Sequence, residues 1–298
     1  MTIIKILDDK KNCTRSILFQ NKVLFKWFRK RLLLQKINEL SRSQQVFFSL
    51  SNAKKNEAQG FLRDIQQCQV HLLKVFNTFA QTNGVTYWLD FGTLIGAARS
   101  GRFIPWDDDI DISVPRNSFN AIWEKKDNLP KGFSFNYSKD KSLIRLSHAD
   151  LPEQISLDIF PVDFISNSYS VLESLALTQK IHDTQRQTKK SNYNNAIKEI
   201  KEKFLDITED LNESKMICYG LEFKHLSHPS ILIPTTIIFP LKEIEFEGFL
   251  YPAPHDYSKH LTYLYKDWRR VDCSHAGHFS TNDFSVVDLL KITDYLGA

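Results

Sequence analysis

The sequence predicts an α+β protein: short strands of one sheet between amphipathic helices, led by a basic helical arm. Three observations carry this reading. Apolar residues recur at helical spacing over residues 61–82, while short β-branched and aromatic runs follow it along the chain. Polar and glycine-bearing patches separate these segments. The first 55 residues carry 13 Lys/Arg against 3 Asp/Glu, or +10; in a chain of net +4 the remainder carries −6.

The 298 residues are ample for a buried core, and the composition is that of an ordinary soluble domain. Cys13, Cys68, Cys218 and Cys273 are scattered with no CxxC pair, so neither a disulfide framework nor a zinc ribbon is indicated. A reducing compartment is the simple reading. No apolar run reaches the roughly 18 residues of a membrane span. The first residues lack the charged-then-apolar order of a secretory signal. The expected location is cytoplasmic.

In the arm, Leu18, Phe25, Phe28 and Leu32 form an apolar stripe, with Lys22, Lys26, Arg29 and Lys30 mostly between them. Residues 15–36 are therefore a candidate for peripheral contact with an anionic membrane surface. The competing reading is a helix packed on the body with its lysines in water. Nucleic acid is not expected, because no recognition motif accompanies the charge. The polar patch Ser51–Asn56 divides the arm, 1–56, from a body at 57–298.

The body opens with a helix from Phe61 to Thr82, stopped at Asn83-Gly84. Val85–Leu89 reads as a strand, Phe91-Gly92-Thr93 as a turn and Leu94–Arg99 as a short helix. A second strand runs from about Asp109 to Val114, closed by Pro115, with a helix near Phe119–Lys125. Ser142–Leu146 and Ile155–Phe160 read as further strands of the same sheet. The polar stretch at about 171–215 reads as a helical insertion. Ile237–Tyr251 reads as a hairpin turning at Glu247-Gly248, and Tyr257–Tyr265 as a helix.

The chemistry concentrates in Pro105-Trp106-Asp107-Asp108-Asp109-Ile110-Asp111-Ile112. Alternation on a strand sends Ile110, Ile112 and Val114 to the core and Asp109 and Asp111 to the other face. Carboxylates on one face repel unless a cation lies between them, and oxygen ligands suit Mg²⁺ or Mn²⁺. Asp107 and Asp108 add charge beside the pair and are expected to support substrate binding. The plain alternative is an exposed acidic turn; the apolar residues on both sides argue against it. Such a cation clamp needs a third carboxylate. Asp158 fits as a mid-strand ligand, whereas Asp163, after Pro161, reads as a cap or turn residue. Gly92 and Thr93 offer backbone N–H groups and a hydroxyl to a phosphate. Arg99 offers a fork of donors, unless it forms an ordinary surface salt bridge. Cys273, His275 and His278 make a weak candidate for a zinc loop.

The run Asp90-Phe91-Gly92-Thr93-Leu94-Ile95-Gly96-Ala97-Ala98-Arg99, followed by Gly101–Ile112, resembles the LicD family. That family includes bacterial phosphocholine transferases and is related to fukutin and fukutin-related protein. Leu157–Asp163 looks like its next motif, and Phe239–Gly248, Pro252–Pro254 and Tyr257–Trp268 like its C-terminal signature. The resemblance spans roughly residues 84–268, with the polar middle unmatched. It implies a nucleotidyltransferase-like fold, a small mixed sheet with flanking helices. It also implies that Gly92-Thr93 holds phosphate, that Asp109 and Asp111 bind metal, and that Asp158 completes the site; as the acid that completes the metal pair from another strand, Asp158 is also the expected acceptor of the hydroxyl proton. The implied donor is CDP-choline or another CDP-alcohol, the acceptor a glycan or glycolipid hydroxyl, and the by-product CMP. Two positions depart from the pattern: Ser100 replaces an expected His, and Lys266 replaces the Gly of Tyr-Gly-Asp. Two rival functions stay open: transfer of a whole NMP group, and a non-catalytic membrane-associated module holding a structural cation.

Overall fold

The computed structural model describes residues 58–138, 142–187, 198–202, 205–219, 232–270 and 284–297. The basic arm, including 15–36, and the Cys273, His275 and His278 group lie outside the described residues. The body is mixed α+β, as its sequence predicts.

It opens with α1 (Phe61–Asn83), ended by Gly84 in the left-handed conformation at φ 67°. Then come β1 (Trp88–Leu89), α2 (Phe91–Ser100), β2 (Ile110–Pro115), α3 (Arg116–Glu124), β3 (Phe133–Tyr137), β4 (Ile144–His148) and β5 (Leu157–Ile165). The second half contributes α4 (Val171–Gln187), β6 (Ile207–Thr208), β7 (Met216–Tyr219), β8 (Leu232–Pro234) and α5 (Thr235–Ile238). It closes with β9 (Lys242–Phe246), β10 (Phe249–Ala253), α6 (Tyr257–Tyr265) and α7 (Val286–Gly297).

Eight strands share one sheet, whose central path runs β1-β2-β5-β4-β3. β2 and β5 are parallel; the other pairs are antiparallel. Ile110, Ile112 and Val114 are fully buried with Leu157, Ile159, Ile144 and Leu146, and α1 supplies Leu72, Leu73 and Phe76 to the same core. Each such side chain stabilises the fold by about 1.5–3 kcal/mol. A second apolar cluster, around Val162, Ile217, Tyr219 and Ile233, lies where β5 continues beside β7 and β8.

Several expected boundaries move. β1 is shorter than Val85–Leu89, because Val85 N–H closes the end of α1 on Ala80 and Thr86 N–H goes to Ser118 Oγ. Phe91, Gly92 and Thr93 are not a turn but the first residues of α2, behind the N-cap Asp90. β5 runs on past Phe160 to Ile165. Pro161 is tolerated because β4 pairs only with residues 157–159 and β7 begins at 162, so neither antiparallel neighbour needs its missing N–H. The stretch at 171–215 is helical at α4 but ends in β6, which pairs with β5. The hairpin is confined to β9 and β10. Its loop residues Glu247 and Gly248 both have positive φ, 51° and 80°, as a type I′ turn requires. Among the described residues, no helix is long and apolar enough to cross a membrane.

Candidate active site

The register of β2 and β5 sets Asp111 directly opposite Asp158. Both are partly buried on the face away from the apolar core, where side chains of adjacent strands stand about 4.8 Å apart. Asp107, Asp108 and Asp109, just before β2, gather so that one carboxylate oxygen of each lies within 4.8 Å of the others. Burial first, then the charges of Asp109, Asp158, Asp107 and Asp90, push the Asp111 carboxyl well above the usual carboxylate range. Burial also raises Asp158, opposed by Arg145 and reinforced by Asp109. The carboxylates that converge closely enough to share one cation are those of Asp107, Asp108 and Asp109; Asp111 and Asp158, expected with Asp109 as the ligands, form a separate cross-strand pair beside them, and oxygen donors of this kind suit a hard divalent cation.

The chain holds this run in place from several sides. Gln66 and Gln69, on the buried side of α1, donate to the carbonyls of Asp107 (2.8 Å) and Asp108 (3.4 Å). Asp111 N–H donates to Thr93 Oγ1 at 2.9 Å, and Asp111 C=O accepts from Asp90 N–H at 3.1 Å. Thr93 is thus a buried clamp on the Asp111 backbone. Gly92 lets Asp107 come close: a Cβ there would lie 2.7 Å from Asp107 Oδ2 and push that carboxylate aside. The N-terminus of α2 therefore faces an acid of the chain itself, a favourable arrangement for the helix dipole. The Arg99 guanidinium donates to the carbonyls of Trp268 and Arg270, tying the end of α2 to that turn.

Residues 84–180 match a family model described as "LicD/FKTN/FKRP, nucleotidyltransferase domain". Over that stretch, about a third of its length, the chain is similar to this family's domain. It is similar to "Lipopolysaccharide cholinephosphotransferase LicD" of Haemophilus influenzae, 39% identical over 61 residues, 20% of this chain and 23% of that protein. It is also similar to human "Ribitol 5-phosphate transferase FKRP", 58% identical over 31 residues, 10% of this chain and 6% of that one. "Mannosyltransferase regulator 4" of Saccharomyces cerevisiae is 37% identical over 57 residues, 18% of this chain and 5% of its own. The chain thus spans less than a quarter of the length of these curated relatives.

These five aspartates and Asp90 lie inside the matched residues, but parts of their support do not. Asp90 is fully buried. It accepts from Trp88 Nε1 (3.0 Å), Ser113 Oγ (2.7 Å), the Tyr219 hydroxyl and its neighbour Phe91 N–H (2.8 Å). His260 Nε2, from α6, approaches Asp90 Oδ1 to 2.7 Å. Burial works against ionisation here, yet the His260 charge and these hydrogen bonds hold the carboxyl below its usual range. Neither Asp90 nor His260 stands out in the sequence. The available signal was a lone acid after the apolar Tyr87-Trp88-Leu89, a placement that demands a partner.

Three further side chains went unread. Tyr265, at the end of α6, keeps about a third of its surface exposed, yet desolvation and the charges of Asp111, Asp90, Asp107 and Asp109 push its phenol well above its ordinary value. Arg145 of β4 contacts Asp158 directly, Nε to Oδ1 at 3.1 Å. Glu247, at the hairpin tip, accepts from Arg63 (2.8 Å) and from Phe103 N–H (3.2 Å), steadying the loop that leads into the acidic run. Asp163 needs correction: it is neither cap nor turn. It lies inside β5, almost fully buried, and accepts from Arg116 Nε (2.7 Å) and Lys201 Nζ (2.8 Å). That network is structural and five residues from Asp158, an odd offset that sends the two acids to opposite faces.

Proposed function

We propose that this protein is a metal-dependent phosphotransferase. It moves phosphocholine, or a similar alcohol phosphate, from a CDP-alcohol to a hydroxyl of a glycan or glycolipid, releasing CMP. The observation that supports this most is the register that sets Asp111 against Asp158, with the charge of Asp109 bearing on both. The names of the bacterial cholinephosphotransferase and of FKRP favour alcohol phosphate over a nucleotide as the transferred group.

Asp109, Asp111 and Asp158 would hold Mg²⁺ or Mn²⁺. When bound, the cation supplies neutralisation of the charge on the donor's diphosphate. The chain's own residues do the rest. Asp107 and Asp108 keep the site strongly acidic. Thr93 and Asp90 hold the N–H and C=O of Asp111, which fixes its backbone in register beside Asp158. Asp158, which completes the metal pair from the neighbouring strand, is the proposed acceptor of the attacking hydroxyl's proton. The arm at 15–36 is proposed to bring the enzyme to the cytoplasmic face of an anionic membrane, near a lipid-linked acceptor.

The reading is tested by the product. Incubation with CDP-choline, CDP-ribitol or CDP-glycerol and Mg²⁺ should release CMP, and Asp111→Asn should abolish that release while the chain stays folded. Pyrophosphate release from an NTP, with inert CDP-alcohols, would move the assignment to nucleotidyl transfer. Retained metal with no turnover of any donor would favour a binding module. Unchanged liposome partitioning after deletion of residues 1–56 would remove the membrane role of the arm.

A further inference from the structure

The row that sets Asp111 opposite Asp158 continues across the sheet. Asp158 stands opposite Arg145 on β4, and Arg145 opposite Asn136 on β3. One register row thus carries acid, acid, guanidinium and amide across four neighbouring strands, on the face turned away from the apolar core. Exposure rises outward: the Asp158 side chain is 18% exposed and that of Arg145 46%. The row is a polar track from the acidic centre to solvent.

Arg145 holds Asp158 loosely. Its two contacts are 3.1 Å and 3.4 Å. The structural pair Arg116–Asp163 is much tighter, at 2.7 Å and 2.9 Å. A half-exposed ion pair of this length contributes little to stability, about 0–1 kcal/mol. The guanidinium is therefore cheap to displace. It also has the planar fork that suits a phosphate, and it belongs to the strand next to the acids.

We infer that Arg145 is an exchangeable phosphate ligand: it neutralises Asp158 in the metal-free protein and turns to a phosphate oxygen of a diphosphate-bearing substrate once a divalent cation engages that acid. The inference rests on the metal-dependent reading of the site proposed above, and it adds the group that recognises the substrate's phosphate. Asn136, next along the row and bonded to Ser134 Oγ (3.0 Å) and Ser147 Oγ (3.3 Å), continues the same polar surface outward. The competing account makes Arg145 a prop that merely aims Asp158 at the metal.

The two accounts differ in what happens to metal binding. The experiment measures Mn²⁺ binding to the full chain by electron paramagnetic resonance, then pyrophosphate binding to the Mn²⁺-loaded protein by equilibrium dialysis. Arg145→Met should leave Mn²⁺ affinity unchanged or tighten it by up to about fivefold, since a weak competitor is removed. The same variant should weaken pyrophosphate binding by roughly 10–100-fold, the loss expected for charge-assisted hydrogen bonds. Arg145→Lys should fall between, keeping the charge without the fork. Weaker Mn²⁺ binding in Arg145→Met would show a prop and overturn the inference, as would unchanged pyrophosphate affinity. If the wild-type chain binds no Mn²⁺ at all, the metal reading fails, and this inference with it.

Discussion

Replacing Asp111 by Asn should make the metal-free protein more stable. Asp111 faces Asp158 in register, and cross-strand neighbours lie about 4.8 Å apart. At an effective dielectric of about 20, two charges at that distance repel by about 3 kcal/mol. Arg145 already offsets part of the Asp158 charge, and both acids keep some contact with solvent. The net relief is therefore about 1–2 kcal/mol, or roughly 2–8 °C in melting temperature. The pH dependence follows from the raised Asp111 pKa. As pH climbs above the ordinary carboxylate value of 3.8, the unfolded chain loses its proton first, and the folded state is progressively penalised until its own carboxyl ionises. The advantage of Asn is thus fully present at high pH, shrinks as pH falls through the raised value and is gone below 3.8. Urea unfolding in EDTA between pH 4 and pH 8, followed by circular dichroism, measures it. Mg²⁺ at about ten times its Kd should then stabilise the wild type by about 1.4 kcal/mol and the variant by less. A variant less stable than wild type in EDTA at pH 7.5, or a gain that does not vary with pH, would refute the repulsion argument.

Asp163→Ala should cost about 2–4 kcal/mol, because Arg116 and Lys201 lose a buried counter-ion but remain partly exposed themselves; a loss under about 1 kcal/mol in urea titration would contradict the network's role. His260→Ala should cost about 2–4 kcal/mol by opening a void and removing a donor from the buried Asp90, and His260→Gln should recover part of it. Lys266 has φ 60° and ψ −86°, a strained backbone for any side chain, so Lys266→Gly should raise stability by up to about 1 kcal/mol in thermal unfolding.

The features legible in the sequence were those with local causes. Helix α6 begins at Tyr257 and ends at Tyr265 as read, because Asp256 caps it through Lys259 N–H and an apolar stripe carries it. The β9–β10 turn was readable from Glu247-Gly248. The acidic run was readable because its aspartates cluster, and the place of Asp158 followed from alternation on a strand. What escaped depends on distant partners. β7, Met216–Tyr219, is buried at every position and shows no alternation, and β8 has three residues. Asp163 looked like a turn residue because the strand was expected to stop before Pro161; the change of neighbour from β4 to β7 that permits the proline is a property of the sheet. The contact between His260 and Asp90 joins positions 170 residues apart and leaves no periodic trace. Thr93 and Gly92 read from the sequence as phosphate donors, but their contacts with Asp111 and Asp107 arise only when the start of α2 is packed on β2.

The hairpin tip has a consequence for how the protein is made. Glu247 N–H closes on the carbonyl of Gly101, and its carboxylate grips Phe103 N–H and Arg63; His260 arrives later still to complete the surroundings of Asp90. During synthesis β1 to β5 emerge ahead of the hairpin and can begin to pair among themselves. The loop leading into the acidic run stays unlatched until well over a hundred further residues have left the ribosome. A nascent chain would therefore hold the acidic run through α1, with the loop before it still open. A ribosome-stalled fragment ending before Lys242 should resist protease in its strands yet be cut between Gly101 and Asp107.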